Sequence, residues 1–395
     1  MPREQAAPRA TPPLLKRLNQ RTVLETIRAR APISRAEISR LAGISKPTVS
    51  LALQSLLDAR LVRETAPDPG RPSYGAVFFE PVPDAAFVLG LDLGARFLRG
   101  AICDLAGEIR ARQDVELRGA DAEVALSAIG ALHDALTEAS EIPDDRIDGV
   151  IVGVPGVVES ASGTLRQAGN VPGLEGRAFG DEIRTRLGYP VMLENDINLA
   201  ALGERWLGVA RGVDDFAFLS IGTGMGVGLV LGGELHRGHH GAAGEIDWAL
   251  AGLDEGTDPS AESLPVVIRS LSFDGSFAGS PANVVDARTV FSAARAGDAL
   301  GRSVVEEIAR RIAANIAPIA AVADVALVVL GGGIGANGDL LLAPVRRLLS
   351  AWMPYPPRLE ISSLGEAAVL TGALAVGLDA ALDNVFVNRP SAAPA

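Results

Sequence analysis

Five consecutive residues, Glu194-Asn195-Asp196-Ile197-Asn198, hold the densest chemistry in the chain. They follow an apolar triplet, Val191-Met192-Leu193, that reads as a strand, and they open a segment with helical apolar spacing. An amide and a carboxylate at a strand tip can hold a polyol, and Asp196 placed there can deprotonate a hydroxyl. Taken alone, the plainer reading, that this carboxylate only caps the following helix, is the stronger one. Three glycine clusters lie in comparable positions. Asp92-Leu93-Gly94 ends the apolar run from Phe87. Gly222-Thr223-Gly224-Met225-Gly226-Val227-Gly228 follows the run from Phe216 to Ile221, and Gly331-Gly332-Gly333 follows the run from Val325 to Leu330. Glycine lets backbone amides approach an anion closely. One such loop can be only a tight turn. Three, each after a β-rich run and in this order, form a far more specific pattern. Asn170, in Asn170-Val171-Pro172-Gly173, adds a loop amide suited to hydroxyls.

The elements that position these groups need a large soluble framework. The chain has 395 residues, 48% of them hydrophobic and 21% charged, a composition for two or three globular domains. Cys103 is the only cysteine, which excludes an intramolecular disulfide framework and a cysteine-rich zinc cluster, and which fits a reducing compartment. The first residues lack the apolar core of a signal peptide. The longest apolar run, Ile312 to Leu330, contains Asn315, Pro318 and Asp324, so it reads as a buried helix and a strand and not as a membrane span. A cytoplasmic protein is expected.

Charge divides the chain in two. Residues 1–75 hold 13 basic and 6 acidic side chains, a net of +7, while the rest hold 23 and 42, a net of −19. A basic module joined to an acidic body offers its basic end to a polyanion. The pattern inside that module is specific. Val23, Leu24 and Ile27 recur at helical spacing, and Ser34-Arg35-Ala36-Glu37 is a capping box. The helix it opens is read as carrying Ile38, Leu41 and Ala42 inward. Gly43 supplies a tight turn, and Ser45 caps a third helix with Val49, Leu53, Leu56 and Leu57 on one face. Two short strands, Leu61 to Arg63 and Ala76 to Phe79, flank an Asp68-Pro69-Gly70-Arg71-Pro72 turn. This is the pattern of a winged helix-turn-helix, whose second helix lies in the major groove of double-stranded operator DNA. Arg35, Ser45, Lys46, Thr48, Ser50 and Gln54 are the expected DNA-facing residues, with Arg71 at the wing tip suited to a phosphate or narrow minor groove. A three-helix protein-interaction domain is the alternative reading.

Taken together, these residues resemble the ROK family (repressor, open reading frame, kinase), in its branch fused to a winged helix-turn-helix. The resemblance runs over residues 14–382. It is carried by Glu194 to Asn198, by Gly222 to Gly228 and by Gly238-His239-His240-Gly241-Ala242-Ala243-Gly244-Glu245-Ile246, and less diagnostically by the glycines from Gly331 to Gly335. It implies a two-lobed α/β fold of the sugar kinase and actin type, preceded by the mainly helical DNA-binding domain. The implied organisation is an arm at 1–13, a winged helix-turn-helix at 14–80, a linker at 81–86, the effector domain at 87–383 and a disordered tail at 384–395. The resemblance implies sugar contacts at Asn170, Asn195, Asp196 and Glu245, and more loosely at Glu262. In a kinase it implies Asp196 as general base, with MgATP at Asp92, Gly94, Gly222, Thr223, Gly224, Gly331, Gly332 and Gly333.

Two departures from the family pattern shape the functional expectation. The family's zinc site uses a His in Gly-Glu-Ile-Gly-His and a downstream run of cysteines, whereas this chain reads Gly244-Glu245-Ile246-Asp247-Trp248. No zinc is expected. Trp248 either stacks on a sugar ring or fills the pocket. The family's Asp-x-Gly-Gly-Thr becomes Asp92-Leu93-Gly94-Ala95-Arg96, which weakens the first phosphate cradle. The leading expectation is a sugar-responsive transcription regulator, repressor more often than activator, acting as a homodimer or homotetramer without a required cofactor or membrane contact. A sugar kinase carrying a DNA-binding domain is the alternative. A body that senses a partner protein is a third reading.

Overall fold

The computed structural model describes residues 12–70, 75–119, 121–143, 146–246, 248 and 255–388. The chain opens with α1 (Pro12–Arg30), β1 (Ile33–Ser34), α2 (Arg35–Ala42), α3 (Lys46–Asp58), β2 (Val62–Thr65) and β3 (Phe78–Pro81). The strands form a small antiparallel sheet with β3 in the middle. The capping box closes as its residue types require: Glu37 accepts from both Ser34 N–H and Ser34 Oγ, at 3.0 and 2.7 Å. Gly43 ends α2 at φ +67°, a left-handed conformation that glycine adopts without strain. Ser45 Oγ receives Thr48 N–H at the start of α3.

The edges differ from the sequence reading. Helix α1 begins at Pro12, inside the expected arm, because proline is well tolerated in a first helical turn. Both wing strands lie slightly later than expected. Leu41 is exposed and leaves Ile38 as the buried residue of α2. The wing-tip residue Arg71 lies outside the described residues.

A short turn, Pro83–Ala85, leads directly into the first lobe. That lobe comprises β4 (Phe87–Leu93), β5 (Phe97–Asp104), β6 (Ile109–Glu116), α4 (Ala122–Ser140), β7 (Ile147–Val154), a hairpin of β8 (Val157–Val158) and β9 (Leu165–Arg166), α5 (Phe179–Leu187), β10 (Val191–Asn195) and α6 (Asp196–Trp206). The second contains β11 (Phe216–Ile221), β12 (Met225–Leu231), β13 (Glu234–Leu235), α7 (Leu264–Leu271), a hairpin of β14 (Ser276–Phe277) and β15 (Ser280–Pro281), α8 (Ala287–Ala296), α9 (Ala299–Ala323), β16 (Leu327–Gly331), α10 (Gly332–Gly335), α11 (Gly338–Trp352), β17 (Arg358–Ile361) and α12 (Ala368–Asn388). Helix α12 thus runs past the expected domain end at 383 into what reads as a disordered tail.

The two five-stranded sheets repeat one topology. Their orders are β10-β7-β4-β5-β6 and β13-β12-β11-β16-β17. In each, three antiparallel strands come first and two parallel ones join the opposite edge. The apolar strands β4, β7, β11 and β16 sit at the sheet centres, buried on both faces. Helices α6 and α12 cross between the lobes: α6 leaves the first and packs on β11 and β12, while α12 leaves the second and packs on β4 and β7.

The expected linker at 81–86 does not separate independent bodies. One apolar cluster joins Val23, Leu24 and Ile27 of α1 to Val88, Ala101 and Cys103 of the first lobe and to Leu370, Leu374 and Leu378 of α12. Arg21 of α1 also pairs with Asp379 of α12.

Candidate functional site

Strand register gathers the first group of site residues. Asp92 lies opposite Gly153, which lies opposite Glu194 on the far side, so β4, β7 and β10 end together. Ligands of open α/β sheets bind at such carboxyl ends. Asn195 caps α6: its Oδ1 accepts Asn198 N–H at 3.0 Å while its Nδ2 donates to the Gly156 carbonyl at 3.0 Å. The expected hydroxyl-binding amide is therefore already engaged in holding the turn. Asp196 is the first residue of α6, its carboxylate accepting from Ile197 N–H at 2.8 Å. Burial, reinforced by the charges of Asp92 and Glu245, pushes its pKa up to about 7. Asp92, Asp196 and Glu245 thus share one electrostatic site. The capping reading of Asp196 is corrected: Asn195 is the N-cap of α6, and Asp196, one residue inside the helix, bonds the adjacent Ile197 N–H instead.

A raised acid pKa has a signed consequence. The folded state binds the Asp196 proton more tightly than the unfolded chain, so its contribution is most favourable below pH 4 and is lost as pH rises through 7. Asp196→Asn is therefore expected to raise stability at pH 8 by on the order of 2–4 kcal/mol and to change little at pH 4. Thermal unfolding at the two pH values measures the difference. An equal effect at both would exclude a raised Asp196 pKa.

Asp92 is buried and sits directly across the hairpin from Arg99. Arg99 Nη1 donates to Asp92 Oδ2 at 3.2 Å, and Arg99 Nη2 donates to Glu366 at 3.0 Å. Burial raises the Asp92 pKa to about 6, with Arg99 acting in the opposite direction. In the loop beyond, Gly94 N–H bonds the Phe97 carbonyl and Arg96 reaches Glu116 at 3.3 Å. The carboxylate expected to face Mg²⁺ is thus held by an internal guanidinium, and Arg96 turns to a neighbouring acid. This donor set does not fit a hydrated Mg²⁺ ion, and no phosphoryl-transfer step follows from it.

The other two glycine loops meet. Parallel pairing of β11 with β16 brings Ser220 opposite Gly331 and so carries Gly222-Thr223-Gly224 and Gly331-Gly332-Gly333 to one edge. A Cβ on Gly222 would lie 4.0 Å from Gly333 N. Gly332 has φ +77° and room for no side chain, since a Cβ would fall 2.4 Å from the Ile221 carbonyl oxygen. Thr223, Gly224 and Gly333 are exposed. Glu262 is also exposed, on a turn tied to this edge through Ala261 N–H to Gly222 O. Asn170 lies exposed on its own loop.

Sequence reasoning named Glu194 without assigning it a role. Its buried carboxylate accepts from Asn198 Nδ2 at 2.9 Å and from Arg237 Nε at 2.6 Å. Asn198 Oδ1 is buried with no partner. Arg99 was also unassigned. Its pairing follows from counting back along a tight hairpin from Asp92, so the signal was present.

On the DNA-binding domain, Arg35, Lys46 and Gln54 are exposed, whereas Thr48 and Ser50 are half-buried. Ser45 and Thr48 hydroxyls bond each other at 2.8 Å, so both serve the helix start. Ser50 Oγ donates to the Lys46 carbonyl at 2.9 Å, and Gln54 Nε2 to Asp58 at 2.8 Å. The same helix exposes Leu51 at 73%, a residue that sequence reasoning passed over. An exposed aliphatic side chain on a recognition helix suits a thymine methyl.

A family model for ROK matches residues 88–379, well over half of the chain. The chain belongs to the ROK family. A MarR family model matches residues 15–72. Among relatives, the chain is 26% identical to the xylose repressor of Caldicellulosiruptor bescii over 383 residues, covering 92% of this chain and 96% of that one. It is 30% identical to a glucokinase of Halalkalibacterium halodurans over 312 residues, covering 72% and 92% respectively. In three dimensions it is similar to a ROK family transcriptional regulator that is a homolog of E. coli MLC protein, with a TM-score of 0.75, 24% identity, and coverage of 94% of this chain and 98% of that one.

Within this ROK chain, the zinc centre that the resemblance implies does not fit. Trp248 replaces the imidazole, and the one thiol, Cys103, is buried in the core shared with the DNA-binding domain. Burial pushes that thiol up to about 12, so it remains protonated. Trp248 is 53% exposed, with its backbone N–H donating to the Glu245 carbonyl. No helix among the described residues is long and apolar enough to cross a membrane.

Proposed function

We propose that this protein is a DNA-binding repressor of carbohydrate metabolism whose operator affinity is set by a sugar held in the cleft at Asp196. The observation that carries the reading is the state of Asp92. A kinase needs that carboxylate for Mg²⁺, and here Arg99 holds it, while the capped recognition helix is complete. The relatives named as xylose repressors support the class of effector, a pentose or related monosaccharide. In this reading Asp196, Glu245 and Asn170 contact sugar hydroxyls, Trp248 offers a stacking face, and Glu262 closes from the second loop. No cofactor is required.

The protein acts in the cytoplasm as a homodimer or homotetramer. Two copies place their α3 helices in successive major grooves, about 34–36 Å apart, on a near-palindromic site. Sugar changes operator affinity only through its different affinities for the DNA-bound and free arrangements of the domains.

The test is a thermal-shift screen of D-xylose, D-glucose and their N-acetylated and phosphorylated relatives, with and without MgATP. A sugar at ~100 times its Kd is expected to stabilise by ~2.7 kcal/mol, and MgATP is expected to add nothing. The kinase reading draws on the glucokinase relative and on Asp196. ATP consumption that depends on a sugar and disappears in Asp196→Ala would establish it in place of ours.

A further inference from the structure

Between α1 of the DNA-binding domain and the body lies a cavity of about 620 Å³, remote from the glycine loops and Asp196. Its walls come from α1, the turn between β5 and β6, the C-terminal end of α6 and α12. Four arginines line it, Arg21, Arg28, Arg205 and Arg211, against the carboxylates Glu25 and Asp379. Those carboxylates are already committed, since Arg21 bonds Glu25 at 2.8 Å and also pairs with Asp379. Arg205 reaches Asp214 only at 3.6 Å, and Arg211 makes no ion pair among the described residues. Arg28 lies 5.9 Å over the Trp206 ring, and its Nε is buried without an acceptor. A cationic concavity in a body whose overall charge is acidic runs against the surrounding field. An enclosed guanidinium short of acceptors is a cost that an oxyanion removes.

We propose that this cavity is a second ligand site, taking a small organic oxyanion, either a phosphate ester or a polycarboxylate, and that the anion fastens the DNA-binding domain to the body. Guanidiniums suit both anions because their forked donors match a planar or tetrahedral oxyanion in pairs. Two of them project from α1 and two from the body, so one anion bonded to both sets bridges the domains. Trp206 supplies an apolar wall for the carbon skeleton. The site also touches the cleft mechanically. Helix α6 starts at Asp196 and, 11 residues long, ends at Trp206 about 15 Å away.

The experiment is a thermal-shift titration of the full chain, without DNA, using glucose 6-phosphate, citrate and inorganic phosphate, each against sodium chloride at matched ionic strength. At least one organic anion is expected to raise Tm saturably beyond the salt control. Its apparent Kd is expected to weaken at least about tenfold in both Arg211→Glu and Arg28→Met. Arg211 is exposed, so its replacement leaves the fold intact even if the Arg28 variant is unstable. A response to phosphate esters alone, to citrate alone or to both identifies the anion class. A response that neither substitution weakens places the anion elsewhere, and no response beyond salt means that the cavity binds none. Either result overturns the proposal, and neither bears on the sugar reading, which is decided by the uncharged sugars of its screen.

Discussion

Ser50→Glu is expected to weaken operator binding by at least about 100-fold, on the order of 3 kcal/mol, while the fold and the sugar response stay intact. Ser50 lies between Lys46 and Gln54 along one row of α3, and each residue of the row is four positions from the next. Its hydroxyl is bonded only to the Lys46 carbonyl, a contact whose loss an exposed helix tolerates. Glutamate is also the better helix former, so stability is not the cost. The cost is electrostatic: a carboxylate brought between two phosphate backbones loses hydration and meets like charge. Leu51→Ala makes the useful contrast. Truncating that exposed leucine leaves the salt dependence unchanged and lowers discrimination at a thymine by ~1 kcal/mol or more. Fluorescence anisotropy against operator and scrambled duplexes at several salt concentrations separates the two effects. Retained operator affinity in Ser50→Glu would move the DNA-reading surface off α3.

The contrast between those two residues marks where the sequence was sufficient. The helix-turn-helix was readable because its signals are local. Ser34 and Glu37 satisfy each other three residues apart, and Gly43 supplies a left-handed turn that few other residues adopt. The glycine loops were readable for the same reason, each closing a strand whose apolar run is continuous. Leu51 was missed because an apolar period shows which face is buried and gives no role to an apolar residue off that face. Leu41 was placed inward on the same period and lies outside. The shared core of α1, β5 and α12 was beyond reach altogether. Leu24, Cys103 and Leu374 are each plainly buried by type, yet nothing local says that they pack in one cluster. That cluster is also why the stretch at 81–86 does not act as the expected linker: its composition suggests a separator, and tertiary packing joins the two sides. Arg99 is intermediate, being predictable only once the hairpin register is fixed.

The contact between α6 and α12 is where a single methyl group should do the most damage. A Cβ on Gly372 would lie 1.8 Å from the Leu199 carbonyl oxygen, and one on Gly203 would lie 2.3 Å from that of Ala368. Each helix thus presses a glycine against the backbone of the other, and neither clash can be relieved by turning a side chain. In an open helix Gly→Ala stabilises by ~1 kcal/mol. At Gly372 the strain of separating two packed helices exceeds that gain, and Gly372→Ala is expected to lose about 3 kcal/mol, a fall in Tm of about 4 °C. Gly149→Ala supplies the control, because nothing lies within 4 Å of its Cβ. The functional loss should be larger than the stability loss alone implies. Helix α6 begins with Asp196, and α12 carries Asp379 to its pairing with Arg21 of the DNA-binding domain. Spreading the two helices therefore displaces the cleft and the DNA-binding domain together, and the sugar-induced change in operator affinity should vanish even at temperatures where the variant is folded. If Gly372→Ala melts with the parent and still responds to sugar, the two helices do not form the rigid connection between the sites, and coupling must pass through the strands of the first lobe instead.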